Sequence, residues 1–187
     1  MKNEILKAIH SRRTVNQNSF TQEEVSKEDI LSILEAANAA PTHKRTQPWR
    51  FVVFQKDGLN RLGTELSRIY KQITPAEKYN ETTEANMGKK ATQSNVAIAI
   101  IVNYTGGLPD WEELAATACA VQNMWLAAHS LQIGGYWASP GLINHLGPFL
   151  GLEENQQCVG IFYMGHHNAE AREPVRSPIE EKIRWED

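Results

Sequence analysis

Cysteine is almost missing from this sequence: Cys119 and Cys158 are the only two in 187 residues. They stand far apart, each inside an apolar segment, where a free cysteine usually behaves as a small buried hydrophobe. Such a pair argues against a disulfide framework and a cysteine-built metal centre, and it suits a reducing cytoplasm. Long apolar runs are missing as well. No segment approaches the roughly 18 consecutive apolar residues of a membrane span, and Met1-Lys2-Asn3-Glu4 lacks the basic stretch and apolar run of a secretory leader. The expectation is a soluble cytoplasmic protein with no membrane partner. Nor is there a surplus of positive charge: 19 Lys and Arg face 22 Asp and Glu, for a net charge of −3 and a pI near 6.1. Domains that neutralise phosphate backbones usually carry a basic excess, so nucleic acid is not an expected partner, Arg12, Arg13, Lys44, Arg45 and Arg50 notwithstanding. No internal repeat or low-complexity tract divides the chain. A hydrophobic content of 41% can fill one good-sized core, and a single domain spanning residues 1–187 is expected.

What is present reads as helices and strands in alternation. Ile5, Leu6 and Ile9 give a short amphipathic helix that ends before the polar run Ser11-Arg12-Arg13-Thr14. Ser26, three residues before Asp29, resembles a helix cap, and Ile30, Ile33, Leu34 and Ala37 keep helical spacing until Pro41. A polar loop bracketed by Pro41 and Pro48 then runs through Trp49 into Phe51-Val52-Val53-Phe54, which reads as a buried strand and places the loop at the edge of a sheet. A helix is predicted from about Leu59 to Ile73, followed by a polar stretch through Lys78, Glu84 and Lys90, either a mobile surface segment or a second helix. Residues 96–102 form an uninterrupted apolar run, as a strand covered on both faces would. From Trp111 to Gln132 the pattern is helical but apolar nearly all round, which predicts a buried helix. Gly134-Gly135 then reads as its break, Tyr136-Trp137-Ala138-Ser139 as a short strand and residues 159–164 as the last core strand. This order implies an α+β class with three α/β/α-like layers and a mixed central sheet.

Four segments offer chemistry. Arg12-Arg13-Thr14 presents two guanidinium forks and a hydroxyl at a helix end, suited to a phosphate or to a ring carbonyl that gains negative charge. An arginine pair at a helix end is more often simply solvated. A second donor-rich loop strengthens the functional reading: His43, Lys44, Arg45 and Gln47, restrained by its flanking prolines. The third segment is Gly134-Gly135-Tyr136-Trp137-Ala138-Ser139-Pro140, whose glycines permit close backbone approach and whose small residues leave room for a flat ring, although an ordinary helix-to-strand turn has the same composition. The fourth is the tail around Arg176, between prolines, in a stretch with little other reason to be fixed.

Arg12-Arg13-Thr14, then Ala39-Ala40-Pro41-Thr42 and Gln47-Pro48-Trp49 leading into an apolar strand, resemble in order and spacing the nitroreductase family, whose pattern is Arg-Arg-Ser or Thr, Ala-Pro-Ser and Gln-Pro-Trp. The likeness extends through Gly134-Gly135 and the strand ending at Gly165 to Arg176-Ser177-Pro178, and so spans nearly the whole chain. The short length and Pro41-Thr42-His43-Lys44 are most similar to the smallest members, the minimal nitroreductases. Two departures stand out: Arg45 replaces an asparagine common in larger relatives, and the usual lysine after the first motif is absent near Asn16.

The resemblance implies a nitroreductase-like fold and a homodimer with flavin mononucleotide (FMN) bound noncovalently in a groove between subunits. Hydride would pass from NAD(P)H to the flavin and on to a small acceptor of the nitroaromatic or quinone type. Carried over, Arg12, Arg13 and Thr14 would hold the phosphate, the ribityl chain and the ring edge, Trp137, Ala138 and Ser139 would line the ring, and Arg176 would help neutralise the phosphate. His43 and Gln47 would come from the second subunit. The helix at 111–132, with Ala120 and Ala127 among its small residues, is the expected dimer surface. Because a flavin accepts hydride itself, no catalytic side chain or metal centre is called for, and the protein supplies orientation and electrostatics. An arginine beside the pyrimidine side of the ring would favour the reduced form, and Arg12 and Arg13 are both candidates. The competing reading from another class is a flavin-binding protein of the same fold that senses or stores the cofactor without turnover.

Overall fold

In the computed structural model, which describes residues 3–170 and 172–186, the organising element is the strand β2 (Val96–Asn103), buried along nearly its entire length. Its side chains alternate between two cores. Val96, Ile98 and Ile100 face one cluster, and Ala97 and Ala99 the other, the two-residue period of a strand covered on both sides. The large residues meet helices α2 (Lys27–Asn38) and α5 (Asp110–Ser130) through Ile30, Ile33, Ala37, Val121 and Met124. The alanines let α3 (Asp57–Ile73) sit close on the opposite face, with Leu62, Leu66 and Ile69 packed beside Ala91 of α4 (Glu81–Thr92). Helix α1 (Glu4–Ser11) buries none of its residues. The short α6 (Gly147–Leu150) completes the helices.

The other strands are β1 (Trp49–Phe54), β3 (Ile133–Ala138) and β4 (Gln156–His166), in the order β1-β2-β4-β3. The three layers of the expected α+β fold are present, but the sheet is not mixed: each pair among the described residues is antiparallel, with Phe51 opposite Ile100, Ile98 opposite Phe162 and Tyr136 opposite Tyr163. The alternation of helices and strands had suggested crossovers between parallel strands. The long connections instead return the chain in the opposite sense. Strand β1 is an edge strand, buried at Trp49 and Phe54 but exposed at Arg50 and Val53.

Several local expectations hold for the expected reasons. The Ser26 hydroxyl accepts from the Asp29 backbone N–H at 3.0 Å and donates to its carboxylate at 2.6 Å, capping α2. The polar stretch after α3 contains a helix, α4. Helix α5 departs from expectation. One face is core, but Trp111, Leu114, Ala115, Cys119 and Gln122 form an exposed stripe, with Trp111 68% exposed. Cys119 is therefore a surface residue, whereas Cys158 is buried and its thiol pKa is pushed up by burial. Ala120 is fully buried against this chain's own core and cannot be part of a surface for a second chain. Composition showed that α5 is apolar but not which side is covered. It also hid Glu113 and Thr117, which are buried with their hydrogen bonds satisfied. Glu113 accepts from the Thr105 N–H and hydroxyl, each at 2.9 Å, and Thr117 donates to the Glu113 carbonyl at 3.0 Å.

The Ser26 cap makes a direct test of the α2 assignment. Ser26→Ala leaves the Asp29 N–H without its acceptor and should lower unfolding stability by about 1 kcal/mol in urea titrations, with no loss of helix content. A change within error would mean that α2 does not depend on this cap.

Candidate active site

Helix α1 ends at Arg12, whose N–H still reaches the Ala8 carbonyl at 2.9 Å while its own backbone turns extended. The chain then runs beside β3, tied by a hydrogen bond from the Val15 N–H to the Gly135 carbonyl at 3.2 Å. Here the glycine pair has its reason. A Cβ on Gly134 would stand 2.8 Å from Val15 Cβ, and one on Gly135 would stand 2.7 Å from the Phe162 ring. Both glycines lie within β3. They do not break α5, whose chain turns at Gln132 with a φ of 60°. What comes close to the glycines is the His167 ring, Val15 just after the first motif, and the chain's own core.

Arg12 and Arg13 have different surroundings. Arg13 is engaged: its Nε donates to the Arg172 carbonyl at 2.7 Å, and one terminal nitrogen donates to the His10 and Arg12 carbonyls at 2.6 and 2.8 Å. It therefore fastens the tail segment to the end of α1. Arg12 lies over the Trp125 ring, its Cζ 4.3 Å from the ring centroid, and its buried Nη1 has no hydrogen-bond partner among the described residues. Burial, then the charges of Arg13 and Arg176, hold its pKa below the usual guanidinium range. Arg12 thus feels two other guanidinium charges, and no carboxylate among the described residues pairs with it. An unmade hydrogen bond of this kind costs about 1–3 kcal/mol, and an anion would remove the deficit.

Beside these arginines opens a cavity of about 320 Å³, lined by Ser11, Arg13, Thr14, Asn16, Trp125, His129, Gly134, His167 and Arg172, among others. His129 Nε2 shares a hydrogen bond of 2.8 Å with the Ser11 hydroxyl, and His167 Nδ1 accepts from the Ala169 N–H at 3.2 Å. Burial is the main cause that lowers both histidine pKa values; the charges of Arg12 and Arg13 add to it at His129, and His166 adds to it at His167. Trp125, His129 and His167 were not singled out from sequence, and Arg172 entered only as the first residue of the tail segment around Arg176. Trp125 looked like one more apolar residue of α5, and the Ser11–His129 contact joins positions 118 apart.

The structure brings Arg12, Arg13, Thr14 and Arg176 into one region. Trp137, Ala138 and Ser139 lie further along and just beyond β3. The Trp137 indole Nε1 is buried without a partner and packs where Gly160 has no side chain. His43 and Gln47 sit elsewhere, on the loop before β1 at the far edge of the sheet. That loop is strained, with φ of 48° at Lys44, 57° at Arg45 and 45° at Gln47, a state usually retained only where surroundings enforce it. His43 Nδ1 is 2.6 Å from Glu112 Oε2. Glu112 and Trp125 mark the two ends of the same helix, and thirteen residues at 1.5 Å each separate them by about 20 Å. Within one chain the His43 loop and the Arg12 region do not meet.

The profile of the nitroreductase family matches residues 9–166. A Bacillus subtilis (strain 168) protein, named provisionally as an NAD(P)H nitroreductase, is 28% identical over 181 residues, covering 94% of this chain and 90% of its own. A crystal structure of a nitroreductase-like protein from Bacillus cereus superposes with a TM-score of 0.82 at 26% identity, over 98% of this chain and 96% of that one. Another, from Desulfovibrio desulfuricans and described as a provisional nitroreductase in complex with FMN, has a TM-score of 0.77 at 28% identity, over 100% and 99% of the two chains.

The two depressed histidines set a pH dependence. A folded pKa below the unfolded value of about 6.5 means that, as pH falls, the unfolded chain takes up protons first. Stability is then fully present above the unfolded pKa and declines as pH falls toward the folded one. The melting temperature of the flavin-free protein should fall from pH 7.5 to 5.5, and fall less in the His129→Gln/His167→Gln double variant. Equal falls in the two proteins would remove these histidines from the account.

Proposed function

The chain belongs to the nitroreductase family, and from that premise we propose that it is an FMN-dependent oxidoreductase, a homodimer that moves hydride from NAD(P)H to a small nitroaromatic or quinone-type acceptor. The observation that carries this reading is Arg12, a guanidinium partly withdrawn from water, with its buried Nη1 lacking a partner among the described residues and the charges of Arg13 and Arg176 acting on it. A phosphate of roughly −1.5 to −2 charge fits that arrangement and would satisfy the orphaned N–H.

When bound, the flavin itself supplies hydride transfer. The chain's part is to bind and orient it. Arg12 and Arg176 take the phosphate, and Thr14, two residues after Arg12, lines the cavity. Arg13, already committed to three carbonyls, holds the tail that carries Arg176. Ala138 and Ser139 offer the ring two small side chains at the end of β3, and Trp137, its indole N–H turned into the chain against Gly160, shapes that wall. His43 and Gln47 come from a second copy. Two α5 helices side by side in opposite directions place the His43–Glu112 end of one chain beside the Trp125 end of the other. The exposed stripe on α5 supports such a contact, as do Ile5, Leu6 and Ile9 of α1 and Val175, Ile179 and Trp185 of the tail, all exposed in one chain. No helix among the described residues is long and apolar enough to cross a membrane.

The purified protein should bind FMN stoichiometrically and oxidise NAD(P)H when a quinone is supplied. Arg12→Ala should weaken FMN binding by more than about tenfold, the worth of a charge-assisted hydrogen bond, while Arg50→Ala, on the exposed side of β1, should change it little. A protein that takes up no FMN in a fluorescence titration overturns the reading. One that binds FMN but does not turn over is a flavin carrier or sensor.

Sedimentation velocity tests the dimer. The wild-type protein should sediment as a dimer at micromolar concentration, and Leu114→Asp on the exposed stripe should shift it toward monomer and weaken FMN binding together, since the two are linked by mass action. A monomer that holds FMN as tightly as the wild type would remove the shared site.

A further inference from the structure

We propose that Trp125, whose ring lines the cavity, is a positioning residue that holds the Arg12 guanidinium beside it for a phosphate-bearing ligand. The inference rests on the flavin reading above and carries it one residue deeper into the fold. An arginine side chain has several rotatable bonds, and the forces around Arg12 do not favour its place. Arg13 and Arg176 repel it, burial disfavours its charge, and no acidic side chain among the described residues pairs with it. What opposes these terms is the indole face, 4.3 Å from Cζ, within the range at which a ring quadrupole attracts a cation.

The indole face is itself fixed from below. Trp125 meets Phe162 edge to face, with centroids 5.5 Å apart and planes at 78°, and Phe162 is fully buried at the centre of β4. A chain of rigid contacts therefore runs from the sheet through Phe162 and Trp125 to the charge of Arg12 beside the cavity. A guanidinium held in place in advance loses little freedom when its anion arrives. Removing the ring would leave Arg12 present but free to swing toward water under the repulsion of its neighbours.

The test compares FMN with riboflavin, which differ by the phosphate alone, by quenching of flavin fluorescence on the flavin-stripped full chain. Trp125→Met fills the space against Phe162 without an aromatic face, and Trp125→Phe keeps a face. The preference of the wild type for FMN should fall about tenfold in Trp125→Met, a loss in the range of a desolvated cation–π contact. It should fall less than about threefold in Trp125→Phe. In an Arg12→Ala background Trp125→Met should change the preference no further, because the group that it positions is gone. The inference is overturned if Trp125→Met keeps the FMN preference, if it weakens both flavins equally, or if its effect persists without Arg12. A wild-type protein that binds neither flavin overturns the function reading and this inference with it.

Discussion

The buried face of α5 is the constraint from which most of the architecture follows. Ala116, Ala120, Val121, Met124 and Ala128 lock the helix against the large side chains of β2 and β4, and its small residues allow the helix to lie close to the sheet. Once that face is fixed, the remaining positions have no freedom. Glu112 must lie near the loop before β1, where it meets His43, and Trp125 and His129 must lie near the end of α1, where they meet Arg12 and Ser11. The two polar clusters are therefore held about 20 Å apart by the rise of the helix between them. A rigid rod keeps the two clusters apart within one chain, so the shared site proposed above needs a second copy, and the exposed apolar stripe between the rod's ends is the surface that such a copy would cover.

The periodicities and motifs carried much of this. The apolar run of β2, the cap at Ser26, the order of helices and strands and the motifs that carry the family resemblance were legible because each depends on neighbours a few residues apart. The rest depends on distant contacts. Whether Ala120 faces inward or outward is decided by where the sheet lies, and an apolar composition on all sides of α5 erased the usual amphipathic clue. The sheet was expected to be mixed because alternation of helix and strand does not distinguish a crossover from a return. Gly134 and Gly135 signalled close approach correctly, but the approaching groups are Val15 and Phe162, which no local pattern could name. At the site, Arg12 and Arg13 are equivalent in sequence. Only the direction of each side chain separates a clamp on the tail from a charge without a partner.

That separation has a thermodynamic consequence. Arg13 makes three hydrogen bonds to carbonyls and stabilises the fold as it stands, whereas Arg12 faces like charges and half-buried histidines and does not. The fold retains an unfavourable charge in a defined place, held by an aromatic face fixed to the core, as sites that trade stability for function do. An anion seated there would lower the potential at His129 and His167, reversing one of the causes that depress the His129 pKa. Ligand binding and proton uptake by these histidines would then reinforce each other. The opposing influence is the ligand's own titration, since a phosphate loses part of its charge near pH 6. Affinity for a phosphate-bearing flavin is thus shaped by two protonations of opposite sign, one on the protein and one on the ligand, whereas a flavin without the phosphate lacks the second.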